Sequence, residues 1–335
     1  MSGAVDISPS GARGGSDRAG ALLVWGGLLA LVLLAGVSLV VGAGQLGLRG
    51  LLADPDTAGL LLTSRLPRTA ALILAGMSSA ITGLIIQRLV QNRFVDPTTM
   101  GTVDSAALGL LLAVIFLPAA SPMTRMGIAA LFAWGGTGLF LLLLRAVPRR
   151  SPLMPPLLGI SYGAVIGAAA SFIAWQMDLM QSLGAWMSAD FSIVLSGRYE
   201  MLYLAAGFTA LAWVFADRFT LAGLGDSMAK TLGLNPGQVL ALGITIVAAV
   251  AGCIVVTVGF IPFLGLIVPN LVSRRVGDNL RRALPAVALL GAVMTLACDI
   301  AGRLIFHPYE LPIGVTMGVL GAVVFLVLLL RSQRA

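Results

Sequence analysis

Ser64-Arg65-Leu66-Pro67-Arg68 sets two guanidinium groups three residues apart at the head of an apolar run, with a proline stiffening the turn between them. Arg303 stands near the end of another such run. A guanidinium stays charged and grips a carboxylate or phosphate as a planar fork. Such positions suit docking of an acidic partner, or anchoring to lipid phosphates. The usual residues of covalent or metal chemistry are sparse. Cys253 and Cys298 lie singly in apolar stretches, which is neither a metal set nor a disulfide framework. His307 is the only histidine and has no second ligand near it in sequence. The chain is therefore expected to be no enzyme, with no catalytic, metal or cofactor residues of its own.

A second constellation is the segment 218–236, RFTLAGLGDSMAKTLGLNP. Leu224, Met228 and Leu232 recur every four residues and make one apolar stripe. Asp226 and Lys230 stand in the i,i+4 order that suits a short helix and its dipole. Gly225 lies just before that turn, and Gly233 is the stop signal. Asn235 and Pro236 read as cap and first residue of the next helix. The segment is expected to be a short amphipathic helix, either lying on the membrane or fitting a partner's groove. It is no nucleotide site. A phosphate loop needs Gly directly before its Lys, and Lys230, the only lysine, follows Ala229.

These residues must be carried by a membrane protein. Hydrophobic residues are 58% of the chain and charged residues 10%, against about 25% charged in a soluble domain. A spanning helix takes about 20 apolar residues. Apolar runs lie near 21–44, 68–88, 102–118, 126–145, 153–176, 199–217, 237–258, 260–276, 283–301 and 313–331. The expectation is an all-α integral membrane chain of about ten spans. Residues 1–20 read as a disordered tail and 21–331 as one transmembrane domain, with 218–236 on the cytoplasmic face. Segment 181–195 is too interrupted to span and is expected as a helix on the outer face.

The net charge of +7 does not imply nucleic acid, because the basic residues fall in gaps between apolar runs. With the N-terminus inside, only Arg49, Arg65, Arg68, Arg125, Arg198 and Arg303 of the 21 Lys and Arg lie outside. That bias puts both termini in the cytoplasm. The spans are almost free of charge. Asp104 and Asp299 come nearest to the membrane interior, both near a boundary. An ion-coupled secondary transporter usually keeps ionisable groups at mid-membrane, so this pathway is expected to be driven from outside the chain. Gly163 with Gly167 and Gly314 with Gly318 offer close helix approach.

Several stretches taken together resemble the FecCD permeases of type II ABC importers, which take up iron-siderophores, haem and vitamin B12. They are RLPRT (65–69), QNRFVDPTTMG (91–101), LGDSMAKTLGLN (224–235), GFIPFLGLIVPN (259–270) and ELPIGVTMGVLGAVVFLVLLLR (310–331). The resemblance implies a ten-helix fold like the vitamin B12 importer permease, in the bacterial inner membrane. It implies a second permease subunit, identical or distinct, and two ATPase subunits that use ATP and magnesium. It also implies an extracytoplasmic siderophore-binding protein. By resemblance, Arg65, Arg68 and Arg303 seat the binding protein. Leu224, Gly225, Asp226, Met228, Lys230, Leu232 and Gly233 belong to the coupling helix that meets the ATPase. Asn270 stands where family members often carry His. That form resembles the branch serving catecholate-type and related siderophores. A ferric-siderophore is the expected cargo, with haem or a cobalamin-like chelate as the alternative.

Overall fold

The computed structural model describes residues 10–41, 59, 61–146, 153–197, 199–305 and 309–332. Arg49, Arg198, His307 and residues 1–9 lie outside the described residues. Among the described residues the chain is helix, turn and coil, with no strand. In chain order the helices are α1 (Ser10–Val40), α2 (Leu66–Leu89, entered through a π turn at Leu61–Arg65), α3 (Thr102–Phe116) and α4 (Pro122–Ala146). Then follow α5 (Met154–Gln176), α6 (Met180–Trp186), α7 (Met201–Val214), α8 (Ala216–Ala222) and α9 (Asp226–Thr231). The last four are α10 (Pro236–Thr257), α11 (Leu264–Val276), α12 (Leu280–Ile305) and α13 (Ile313–Ser332).

Each of the ten apolar runs carries a helix, as an all-α membrane chain requires, though length and composition qualify fewer than ten of these helices as full spans among the described residues. Six helices are long and apolar enough to cross a membrane, or seven if α7 and α8, bent by 65°, are one span. α13, with 20 residues, is as long as a span requires, whereas α11 has 13 residues and α3 has 15. At 1.5 Å per residue each of the two shorter helices covers roughly 20 Å of a hydrocarbon layer about 30 Å thick. Two expectations change. Residues 10–20 are helical and continue α1 rather than forming a tail; no proline interrupts them. The expected outer helix over 181–195 is helical only at Met180–Trp186. Beyond it the Asp190 side chain accepts the Ser192 N–H at 2.8 Å, giving the backbone a local alternative to helix.

α2 is the axis of the fold, buried along most of its length between α10, α11 and α12. Pro67 fits its first turn, where the missing N–H costs nothing. Its tightest neighbour is α11. A Cβ on Gly83 would collide with the Gly265 carbonyl oxygen, which is backbone and cannot swing aside. Pro269 sits inside α11 and has no N–H for the carbonyl four residues earlier, that of Gly265. Gln87 of α2 supplies the missing donor, its Nε2 lying 3.3 Å from Gly265 O and 3.4 Å from Leu266 O. The proline break in one helix is thus answered by an amide on the next. Gly83→Ala is expected to lower stability by about 1–3 kcal/mol through overpacking. The thermal unfolding midpoint of detergent-purified protein checks it, and an unchanged midpoint would show that the seam tolerates a methyl.

One glycine of each small-residue pair, Gly163 and Gly314, sits at a close approach. Gly163 and Gly167 of α5 face Asp104 of α3, with a Gly163 Cβ falling 2.7 Å from Asp104 Oδ2. Gly314 of α13 packs on the Ser188 carbonyl, and Gly318 faces Pro262. Cys253 and Cys298 are free and buried.

Candidate functional site

The three arginines singled out in the sequence meet at one end of the bundle, around the last turn of α1. Arg65 Nη1 donates to the carbonyls of Leu39 (2.5 Å) and Val40 (3.2 Å). Arg303 Nη1 donates to the carbonyls of Ser38 (3.0 Å) and Val41 (2.7 Å). Four terminal C=O groups, which no helical N–H can reach, are thereby satisfied by cations at the negative end of the helix dipole. Arg303 Nη2 bonds Ser38 Oγ at 2.7 Å and pairs with Asp299 Oδ2 one turn back in α12. The other Asp299 oxygen, Oδ1, takes Arg68 Nη2 at 2.7 Å. Arg68 Nη1 reaches Glu310 Oε2 at 2.6 Å, in the connection before α13.

The resulting chain Glu310–Arg68–Asp299–Arg303 joins α1, α2, α12 and the entry to α13. It differs from the expectation of outward-facing donors. Arg65 and Arg303 are buried, and Asp299 is 1% exposed. Only Arg68 and Glu310 keep some side-chain exposure, 13% and 24%. Arg68 and Arg303 meet the two carboxylates, and Arg65 lies beside them on the α1 carbonyls, so among the described residues the group of three arginines has one positive charge more than Asp299 and Glu310 supply. The Nε of Arg68 and of Arg303 is buried and finds no acceptor among the described residues. Sequence reasoning missed the acidic half of this cluster. A signal existed, since Asp299 and Arg303 stand in i,i+4 register on one helix. No spacing rule could have delivered Ser38 or Glu310, which arrive from distant segments.

At the opposite end, α9 is a six-residue helix between two glycines held at positive φ, Gly225 at 105° and Gly233 at 80°. Asn235 caps α10 as expected, its side chain accepting from Gly237 N at 3.1 Å and Gln238 N at 3.4 Å. α9 rests on the rest of the chain through Ala229, which is buried. Leu224, Met228 and Leu232 face outward, at 58%, 53% and 53% exposure. Lys230 is exposed with them, and Asp226 opens the helix. Leu224, Met228 and Leu232 together leave an exposed apolar stripe at the turn between α8 and α10.

The segment 91–101 that leads from α2 to α3 is tied back at the same end. Asn270 of α11 donates from Nδ2 to the Arg93 carbonyl at 2.7 Å. Asp278, in the α11–α12 turn, pairs with Arg88 at 2.7 Å and Arg93 at 3.1 Å. Partial burial alone would raise the Asp278 carboxyl, but the hydrogen bond and charge of Arg88, with Arg93 beside it, outweigh that and hold it below its ordinary range.

A bundle of bent and short spans, polar-stitched at one end and carrying an exposed knob at the other, is the architecture of a membrane permease. Residues 28–331 match the FecCD transport family, and the chain belongs to it. As a member it is a multi-pass transport subunit and not an enzyme. It is 43% identical over 304 residues to the petrobactin import system permease protein YclN of Bacillus subtilis, covering 90% of this chain and 96% of that one. It is 38% identical over 309 residues to the ferric-anguibactin transport system permease protein FatD of Vibrio anguillarum, covering 92% and 98%. The vitamin B12 import system permease protein BtuC of Klebsiella pneumoniae is 34% identical over 276 residues, 80% of this chain and 82% of that one. Among solved structures, a metal-chelate type ABC transporter in an inward-facing conformation superposes with a TM-score of 0.76 at 26% identity, over 92% of this chain and 99% of that one.

Proposed function

We propose that this chain is the permease subunit of an ATP-driven importer that carries a ferric-siderophore into the cytoplasm. The observation that carries the reading is similarity over nine-tenths of the chain to permeases named for petrobactin and ferric-anguibactin. Both are more similar to it than the vitamin B12 permease is. In this reading two ATPase subunits press on α9 through Leu224, Met228 and Leu232. A second permease subunit completes the path, and a siderophore-binding protein docks above. The excess positive charge of Lys and Arg between the spans on one side puts both termini in the cytoplasm and α9 with them.

The docking role divides among the three arginines. Arg68 is the one with an exposed edge, and the excess charge of the cluster favours an acidic group there. Arg65 and Arg303 brace the surface from beneath. Growth of cells lacking other siderophore permeases, on a panel of ferric-siderophores with and without this chain, tests the cargo. Rescue restricted to catecholate-type or related chelates is expected. Rescue by haem or cobalamin alone, or uptake that survives loss of ATP and collapses with the proton gradient, would overturn the reading. In the same assay Arg68→Glu is expected to cut uptake while the protein still inserts; unimpaired uptake would remove the docking role.

A further inference from the structure

The connection 91–101 does not stay at the surface. Asp96 is 1% exposed and lines a cavity of about 30 Å³. Ser79 and Thr82, near the middle of α2, line the same cavity with Gly265 of α11. The loop around Asp96 is tightly closed. Asp96 Oδ1 accepts the Thr98 N–H at 2.8 Å, the Thr99 N–H donates to Asp96 O at 3.0 Å, and the Asp96 N–H donates to Thr99 Oγ1 at 3.0 Å. The second carboxyl oxygen, Oδ2, finds no hydrogen-bond partner among the described residues. A Cβ on Gly265 would lie 3.3 Å from it.

The surroundings offer no charged side chain. Burial pushes the Asp96 carboxyl up to about 6, outweighing the dipolar influences of the Thr98 N–H and side chain and of the Leu266 N–H in the first turn of α11. α2 contributes the hydroxyls of Ser79 and Thr82, the connection itself Pro97 and Thr98, and α3 contributes Val103. α10, the turn after it and α11 contribute only aliphatic, aromatic or glycine positions. None of these groups titrates or is charged. An ionised carboxylate taken from water into such a site costs several kcal/mol unless it is paired. A bare metal cation would need a shell of about six oxygens, and the wall is mostly carbon. A proton needs only Oδ2. The cavity exceeds the roughly 10–15 Å³ that one water requires, so a single water has room beside the acid.

We propose that Asp96 is a proton-binding site, with the proton on Oδ2 and a single cavity water as its hydrogen-bond partner. On deprotonation the O–H bond breaks and the proton passes to the cavity water, leaving a carboxylate whose Oδ1 the Thr98 N–H already serves. The inference stands on the cavity and does not depend on which chelate the chain carries.

Infrared spectroscopy of the full chain, purified with unlabelled or carboxyl-¹³C aspartate, tests it. A protonated aspartate C=O band at about pH 5, where an ordinary aspartate is ionised, downshifted by the label, is expected to vanish in Asp96→Asn. The same band is expected to shift in Thr82→Val, which removes a cavity hydroxyl and leaves the carboxyl intact. A labelled spectrum of the unmutated chain without any protonated aspartate band overturns the proposal and needs no variant. A band that survives Asp96→Asn, or is unmoved by Thr82→Val should Asp96→Asn not fold, also overturns it. Thermal midpoints in sodium, potassium and choline chloride at equal ionic strength are expected to coincide. A sodium- or potassium-specific rise abolished by Asp96→Asn would make the site a metal-cation site instead.

Discussion

Arg303→Ala lowers the stability of the folded chain by about 3–5 kcal/mol, the usual cost of removing one partner from a buried ion pair. The loss has three sources in the geometry. Asp299, almost fully buried, keeps only Arg68. The carbonyls of Ser38 and Val41 lose their donor at the end of α1. The Ser38 hydroxyl loses its Arg303 partner. α1 needs that anchor more than other helices do, because its spanning window is only 6% buried in the chain. Arg303→Lys is expected to recover only part of the loss. An ammonium can replace the charge but not a fork that serves Asp299, Ser38 and Val41 at once. Thermal unfolding in detergent, read beside Arg65→Ala, makes the comparison. Arg65 touches the α1 carbonyls but no carboxylate in the described structure, so its loss is expected to be smaller. Equal effects of the two variants would show that α1 capping, and not the Asp299 pair, dominates.

What the sequence revealed and what it concealed divide along the range of the interactions. The apolar runs gave ten helices near their observed places, because span hydropathy is a local property. Asn235 and Pro236 were legible as cap and first turn because capping lies within four residues. How α11 accommodates the proline at 269 was not legible, because the glutamine that meets the freed Gly265 carbonyl belongs to another helix. The arginines were visible as unusual charges, but their burial was not. That depends on Asp299, Glu310 and the end of α1 converging from segments up to 265 residues apart. Asp96 was hidden for the same reason. A polar loop of the type QNRFVDPTTMG reads as surface, and only the contact of Asn270 with the Arg93 carbonyl and the burial of Asp96 show it drawn inward.

Leu224→Asp with Met228→Asp is expected to separate folding from function at the other end. Both side chains are more than half exposed, so replacing them removes little packing within the chain. Surface changes of this kind usually alter stability by no more than about 0.5 kcal/mol. The fold of the knob survives, since it is set by Ala229 beneath it and by Gly225 and Gly233 at its ends. The contact with an ATPase subunit does not. Burying a Leu or Met side chain contributes about 1.5–3 kcal/mol each. Two such losses weaken association by roughly a hundredfold to ten-thousandfold at 1.4 kcal/mol per tenfold, before the cost of desolvating two carboxylates. Co-purification of the assembled complex over size exclusion is the direct measurement. The permease should elute with an unchanged unfolding midpoint and without its ATPase, and uptake should fall to background. Stoichiometric ATPase on the double variant would place the force-bearing contact elsewhere on the cytoplasmic face. A lowered midpoint would instead mean that the stripe packs against this chain itself, which the exposure of Leu224, Met228 and Leu232 argues against.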